Sequence, residues 1–230
     1  MTAGASTDLS ALLHQTRYLL LDFDGPICAI FATRPAHEVA RELVSALRAD
    51  GIPVPDRLEA STDPFVVLRF AGALHETAAQ RVDARLQVAE LEAALTAKPT
   101  PHAAETISSW RDAGRLVAAV SNNSQAAVTA YLTKHDLSVD LVVGRTSPDP
   151  GRLKPNPHLV SRAIDMLGAA AEESIFVGDS VSDIAAGRDA GIATIGYANK
   201  PGKYSSLTEA GADVVIDSMR VMRLDQERSP

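Results

Sequence analysis

Short apolar runs alternate along this chain with longer stretches whose apolar positions recur at helical spacing. That alternation predicts an α/β fold built on a mostly parallel, Rossmann-like sheet. Six runs read as strands, at 18–23, 116–120, 139–143, 174–177, 192–196 and 214–216. Between the later ones lie helical patterns at 103–113, 125–135, 156–167 and 181–190. Gly114 and Gly191 follow two of these helices, where glycine accepts a left-handed backbone at little cost.

One stretch breaks the alternation. Residues 29–98 show helical periodicity and no strand. A helix beginning at Thr33-Arg34-Pro35 carries Val39, Leu43 and Leu47 on one face and stops near Gly51. Asp63-Pro64 reads as an N-cap followed by proline in the first turn. Good helix formers fill 76–97, and "KPTP" at 98–101 punctuates the return to the sheet. The organisation expected is a core domain of residues 1–28 and 99–230, interrupted by a helical cap subdomain at 29–98. The tail after Met222 is expected to fray.

Composition narrows the partners. Of the 230 residues 46% are hydrophobic and 22% charged, the balance of a globular chain. A net charge of −7 argues against a nucleic-acid backbone as partner. No apolar run approaches the ~18 residues of a membrane span, and the first residues lack a basic start followed by an apolar stretch. The one cysteine, Cys28, has no internal disulfide partner and reads as a small buried residue. These features predict a cytoplasmic protein, and none of them implies an obligate protein partner.

Candidate chemistry starts at "YLLLDFDGPI", where an apolar strand ends on two carboxylates, Asp22 and Asp24. Buried side by side they repel, so positive charge belongs near them. Parallel sheets bind ligands beyond the carboxyl ends of their strands, and three more signals fall at strand ends or helix starts. Ser121-Asn122 follows the second strand, Lys154 in "GRLKPNP" precedes a helix, and "GDSVSD" with Asp179 and Asp183 follows the fourth strand. Each alone reads as a cap or a solvated charge. Together, in this order on one sheet, they predict a site.

As a set, these residues resemble the motifs of the haloacid dehalogenase-like superfamily of hydrolases, over roughly residues 16–28 and 99–218. A single insert after the first strand is similar to the helical-cap subclass that includes phosphoglycolate phosphatase-like enzymes. The resemblance implies a phosphatase acting on a small phosphorylated metabolite. It implies Asp22 as nucleophile and Asp24 as general acid/base, with Ser121, Asn122 and Lys154 binding phosphate. It further implies Mg²⁺ held by Asp22, Asp24 (through its backbone carbonyl), Asp179 and Asp183. A hard cation on carboxylate oxygens would supply the missing charge, with Lys154 adding a second.

The chain departs from the family pattern at Pro26, where Thr or Val is usual. Asp24 and Asp179 argue against a metal-free dehalogenase. The absence of lysine from residue 1 to 97 argues against the cap Schiff base of the phosphonatases. A sugar-phosphate mutase remains open, as does a non-enzymatic binding module retaining the fold. Arg34, Arg69 and His75 are read as solvated helix residues, Phe65 and Phe70 as cap core, Trp110 as packing, and "NKPGKY" at 199–204 as a surface turn.

Overall fold

Leu19 and Leu21 pack on one face of a central strand and Leu20 on the other, each fully buried. An apolar run without polar alternation is what a strand covered on both faces requires. The computed structural model describes residues 8–224, so most of the tail expected to fray, residues 225–230, lies outside the described residues. After α1 (Leu9–Gln15), the chain runs through β1 (Tyr18–Leu21) and β2 (Cys28–Ala29). Four helices follow: α2 (Ala36–Ala49), α3 (Asp56–Glu59), α4 (Pro64–Leu74) and α5 (Glu76–Thr96). The chain then passes through β3 (Lys98–Pro99), α6 (Ala103–Asp112), β4 (Leu116–Ser124), α7 (Gln125–Lys134) and β5 (Leu141–Arg145). It ends with α8 (His158–Leu167), β6 (Ser174–Gly178), α9 (Val181–Asp189), β7 (Ala193–Tyr197), α10 (Lys203–Glu209) and β8 (Val214–Ile216).

Six strands form one parallel sheet in the order β5-β4-β1-β6-β7-β8. Chain order reverses about β1, so a crevice opens beyond its carboxyl end. Trp110, Val128 and Tyr131 from α6 and α7 cover one face, while Leu159, Val160, Ala163 and Ala186 from α8 and α9 cover the other. Trp110 is buried and its indole N–H donates to the Met222 carbonyl at 2.7 Å, a packing role as the sequence implied.

Helices α2, α4 and α5 enclose an apolar cluster of their own, with Val39, Leu43, Leu47, Leu68, Val82 and Leu86 at its centre. Asp63 caps α4 by accepting from Phe65 N at 2.8 Å, as its position before Pro64 predicts. The reading of 29–98 as free of strands needs correction at its ends. Cys28–Ala29 and Lys98–Pro99 pair antiparallel, tying the two connections to the helical segment into one ribbon. Two residues a strand are too few to leave a periodic signal. The short helices α1, α3 and α10 also escape the pattern, for the same reason of length.

Cys28 has no exposed surface, and burial, with the Asp24 and Asp22 charges, holds its thiol above the ordinary cysteine range. We therefore expect the native protein to resist thiol alkylation and to react stoichiometrically once denatured; rapid labelling of the folded protein would contradict this burial. Among the described residues, no helix is long and apolar enough to cross a membrane.

Candidate active site

β1 delivers Asp22 to the crevice, with its backbone N–H still laddered to Val177 O at 2.8 Å. Asp22 Oδ1 accepts from Phe23 N at 2.7 Å and from Lys154 Nζ at 2.7 Å. Lys154 Nζ also lies 2.6 Å from Asp183 Oδ1, so one ammonium bridges two carboxylates from different strand ends. Burial disfavours that ammonium, but Asp183 and Asp22 outweigh it and hold Lys154 charged beyond the ordinary lysine range. The reverse holds for Asp22. Burial, and then the charge on Asp183, push its carboxyl well above the usual range, against the attraction of Lys154.

Carboxylate oxygens of Asp22, Asp179 and Asp183 lie within 4.8 Å of one another. Asp183 is buried by the capping box of α9, in which Ser180 Oγ donates to its Oδ2 at 2.6 Å. Its Oδ1 lies 2.6 Å from Lys154 Nζ. Three carboxylate oxygens suit a hard divalent cation, and Lys154 and Lys203 together leave the three carboxylates with one negative charge in excess. Asp24 turns its side chain aside, accepting from Ile30 N at 3.1 Å through Oδ1. Burial and the Asp179 charge raise its carboxyl to about 6.

Two glycines make this convergence possible. Gly25 has a φ of +112°, and a side chain there would run into the Asp179 carboxylate. A Cβ on Gly178 would likewise strike Asp183. Gly25→Ala is therefore expected to fold with Asp179 displaced and to lose roughly 100-fold in turnover; an alanine variant with unchanged kcat would show the close approach to be irrelevant. Three hydrogen bonds close the turn around Pro26. Gly25 N donates to Cys28 O at 2.7 Å, Cys28 N to Phe23 O at 3.0 Å, and Thr100 Oγ1 to Gly25 O at 2.5 Å.

β4 runs to Ser124, beyond the expected end at 120, and its ladder with β5 is interrupted between Val120 and Ser124. Ser121 and Asn122 stand in that interruption, lining the crevice. The Ser121 hydroxyl donates to Asn123 Oδ1 at 3.1 Å. Asn122 grips the backbone of Lys154 at both ends, with Lys154 N donating to its Oδ1 at 2.8 Å and its Nδ2 donating to Lys154 O at 3.2 Å.

The 199–204 stretch is not the simple surface turn expected. Asn199 Nδ2 donates to Asp179 Oδ2 at 2.9 Å, and Lys203 Nζ pairs with the same oxygen. Arg69 is also placed differently from the solvated reading. It is half-buried in α4, lines the crevice and donates to Lys154 O at 3.0 Å. Arg34 and His75 do lie away from the crevice, Arg34 paired with Glu42 and Glu92 and His75 accepting from Ala78 N. The crevice measures about 250 Å³, and Phe31, Thr62, Asp63, Phe65 and Arg69 of the helical segment form its far wall.

The chain has counterparts among known proteins. The family description "haloacid dehalogenase-like hydrolase" matches residues 16–191. The chain belongs to that family. Among curated relatives, a plasmid phosphoglycolate phosphatase of Cupriavidus necator is 32% identical over 120 residues, covering 50% of each chain. The pyrophosphatase PpaX of Halalkalibacterium halodurans is 32% identical over 117 residues, 50% of this chain and 54% of that one. The chain thus spans about half the length of the curated relatives it matches. A predicted phosphatase from Clostridium acetobutylicum superposes with a TM-score of 0.69 at 20% identity, over 90% of this chain and 96% of that one. CbbY from Rhodobacter sphaeroides, solved with phosphate, gives 0.61 at 20% identity over 88% and 94%. At such identity these two structures establish the fold of this haloacid dehalogenase-like chain.

Proposed function

We propose that this protein is a Mg²⁺-dependent phosphatase that hydrolyses a small phosphate monoester through an aspartyl-phosphate on Asp22. One observation carries the reading above all: Lys154 Nζ sits between Asp22 Oδ1 and Asp183 Oδ1 at 2.7 and 2.6 Å, beside the converging carboxylate of Asp179. Asp22, Asp179 and Asp183, with the Asp24 carbonyl, would hold the cation. Bound there, Mg²⁺ would offset the carboxylate charges and the charge of an entering phosphate. The names of the phosphoglycolate phosphatase and pyrophosphatase relatives favour the same class of reaction.

The chain's own residues then divide the work. Asp22, held by Phe23 N and Lys154, attacks phosphorus as the ester oxygen departs. Asp24, with its carboxyl raised to about 6, gives that oxygen a proton and later takes one from the attacking water. Ser121, Asn122 and Lys154 orient the phosphate. We further propose that residues 29–98 act as the cap. With Phe31, Phe65 and Arg69 forming the far wall of a 250 Å³ crevice, that cap limits the substrate to a small metabolite.

A panel of phosphorylated metabolites assayed with Mg²⁺ and with excess EDTA tests this. Turnover of at least one small ester, lost in EDTA, is expected. Asp179→Asn should raise the Mg²⁺ concentration needed for half-maximal rate and leave the melting temperature near that of wild type. Full activity in EDTA would overturn the metal assignment.

A further inference from the structure

A buried ion cluster stands where the helical segment meets the strand ends, and none of the steps above uses it. Arg145, the last residue of β5, is 3% exposed; Asp83 and Glu90, seven residues apart on α5, are 4% and 0% exposed. Arg145 Nε donates to Asp83 Oδ1 at 2.6 Å. Its Nη1 and Nη2 donate to Glu90 Oε1 and Oε2 at 2.8 and 2.9 Å. Burying such a cluster is costly, and apolar residues of similar volume usually pack as well or better. The bonds the cluster makes to its surroundings therefore bear on why it is there.

Those bonds run in two branches. Glu90 Oε2 accepts from Ser124 N at 2.9 Å, and its Oε1 from Asn123 Nδ2 at 3.3 Å. Asn123 in turn accepts from Ser121 Oγ at 3.1 Å, while its own N–H donates to that hydroxyl at 3.2 Å. The second branch leaves Arg145, whose Nη1 donates to Asn122 O at 2.6 Å. The Asn122 side chain then holds the backbone N–H and carbonyl of Lys154. One branch ends on the Ser121 hydroxyl and the other on the lysine that pairs with Asp22.

We propose that Glu90 and Arg145 are positioning residues that set Ser121 and Lys154 together for phosphate, and so join the cradle to helix α5. The proposal rests on the reading of Ser121 and Lys154 as phosphate ligands. Because α5 also carries Val82, Leu86 and Ala89 into the cluster of the helical segment, the cradle and the crevice's far wall share one rigid connection.

Glu90→Gln keeps the side chain's size and removes its charge. In the full-length protein it should weaken binding of inorganic phosphate about tenfold or more, measured by calorimetry with Mg²⁺ present. Hydrogen exchange should speed up together in two separate stretches, 121–124 and the Lys154 amide, with 19–22 unchanged. Asp83→Asn is the control: its amide oxygen can still accept from Arg145 Nε and the bonds to Glu90, Asn123 and Asn122 stay in place, so it should lower the melting temperature while leaving phosphate affinity as in wild type. Should Glu90→Gln not fold, Arg145→Lys keeps the charge and removes part of the guanidinium fork, and the same two stretches are read. Unchanged exchange at Lys154 in a folded variant would overturn the proposal. Wild-type protein that binds no phosphate would instead sink the functional reading, and the exchange comparison would still decide whether Glu90 and Arg145 position this loop.

Discussion

Asp22→Asn is expected to abolish measurable turnover while the protein stays folded. An amide oxygen is a poor nucleophile toward phosphorus, so no phosphoenzyme should form at this position. Stability should hold or rise, because burial and the Asp183 charge already disfavour the Asp22 carboxylate. Lys154 keeps Asp183 as a partner at 2.6 Å, so removing the charge does not orphan the ammonium. Ser121→Ala offers the comparison. It deletes one neutral donor, worth about 1 kcal/mol, or roughly a fivefold effect. Steady-state rates and thermal melts of both variants check the ranking. A serine variant as inactive as the Asp22 variant would reverse the roles assigned here.

Asp24→Asn should slow turnover by roughly 10²–10⁴-fold, the usual contribution of a positioned acid–base group. The asparagine can still accept from Ile30 N, so the local turn should survive. The two half-reactions respond differently. An activated ester, whose leaving oxygen needs no proton, should spare the first step and leave the second slow. With an alkyl phosphate both steps should suffer. A variant as fast as wild type on both esters would remove Asp24 from the mechanism.

Much of this was legible in the sequence because the relevant signals are local. Each of the six sheet strands holds a short apolar run marked off by polar or glycine residues; Asp22 and Asp179 follow β1 and β6, and Ser121 follows the apolar run within β4. Lys154, Asp183 and Asp24 are placed by the same order of motifs. What stayed hidden depends on pairing between distant residues. Arg145 meets Glu90 across 55 positions and Asp83 across 62. The available hint was two acids seven apart, on the face of α5 that also carries Val82, Leu86 and Ala89. Asn199 and Lys203 follow β7 and reach Asp179 beyond its carboxyl end, and a stretch rich in Lys, Pro and Gly looks like any exposed turn until the sheet brings it back. The end of β4 was misplaced for a related reason. Residues 121–124 are polar, yet the strand continues through the break in its ladder, because Glu90 and Asn123 bond to it internally.

The most direct test is to find where the phosphoryl group rests during turnover. Asp24→Asn protein mixed with an activated phosphate ester and Mg²⁺, then quenched in acid within the first turnover, can be digested and read by mass spectrometry. The account predicts one phosphoryl group on Asp22, lost on treatment with hydroxylamine as an acyl phosphate should be. It also predicts that wild-type protein passes that group to water faster than to any added sugar phosphate; the opposite preference would make the protein a mutase. A phosphoryl group on Ser121, or none on any residue while ester is consumed, would contradict the aspartyl-phosphate mechanism.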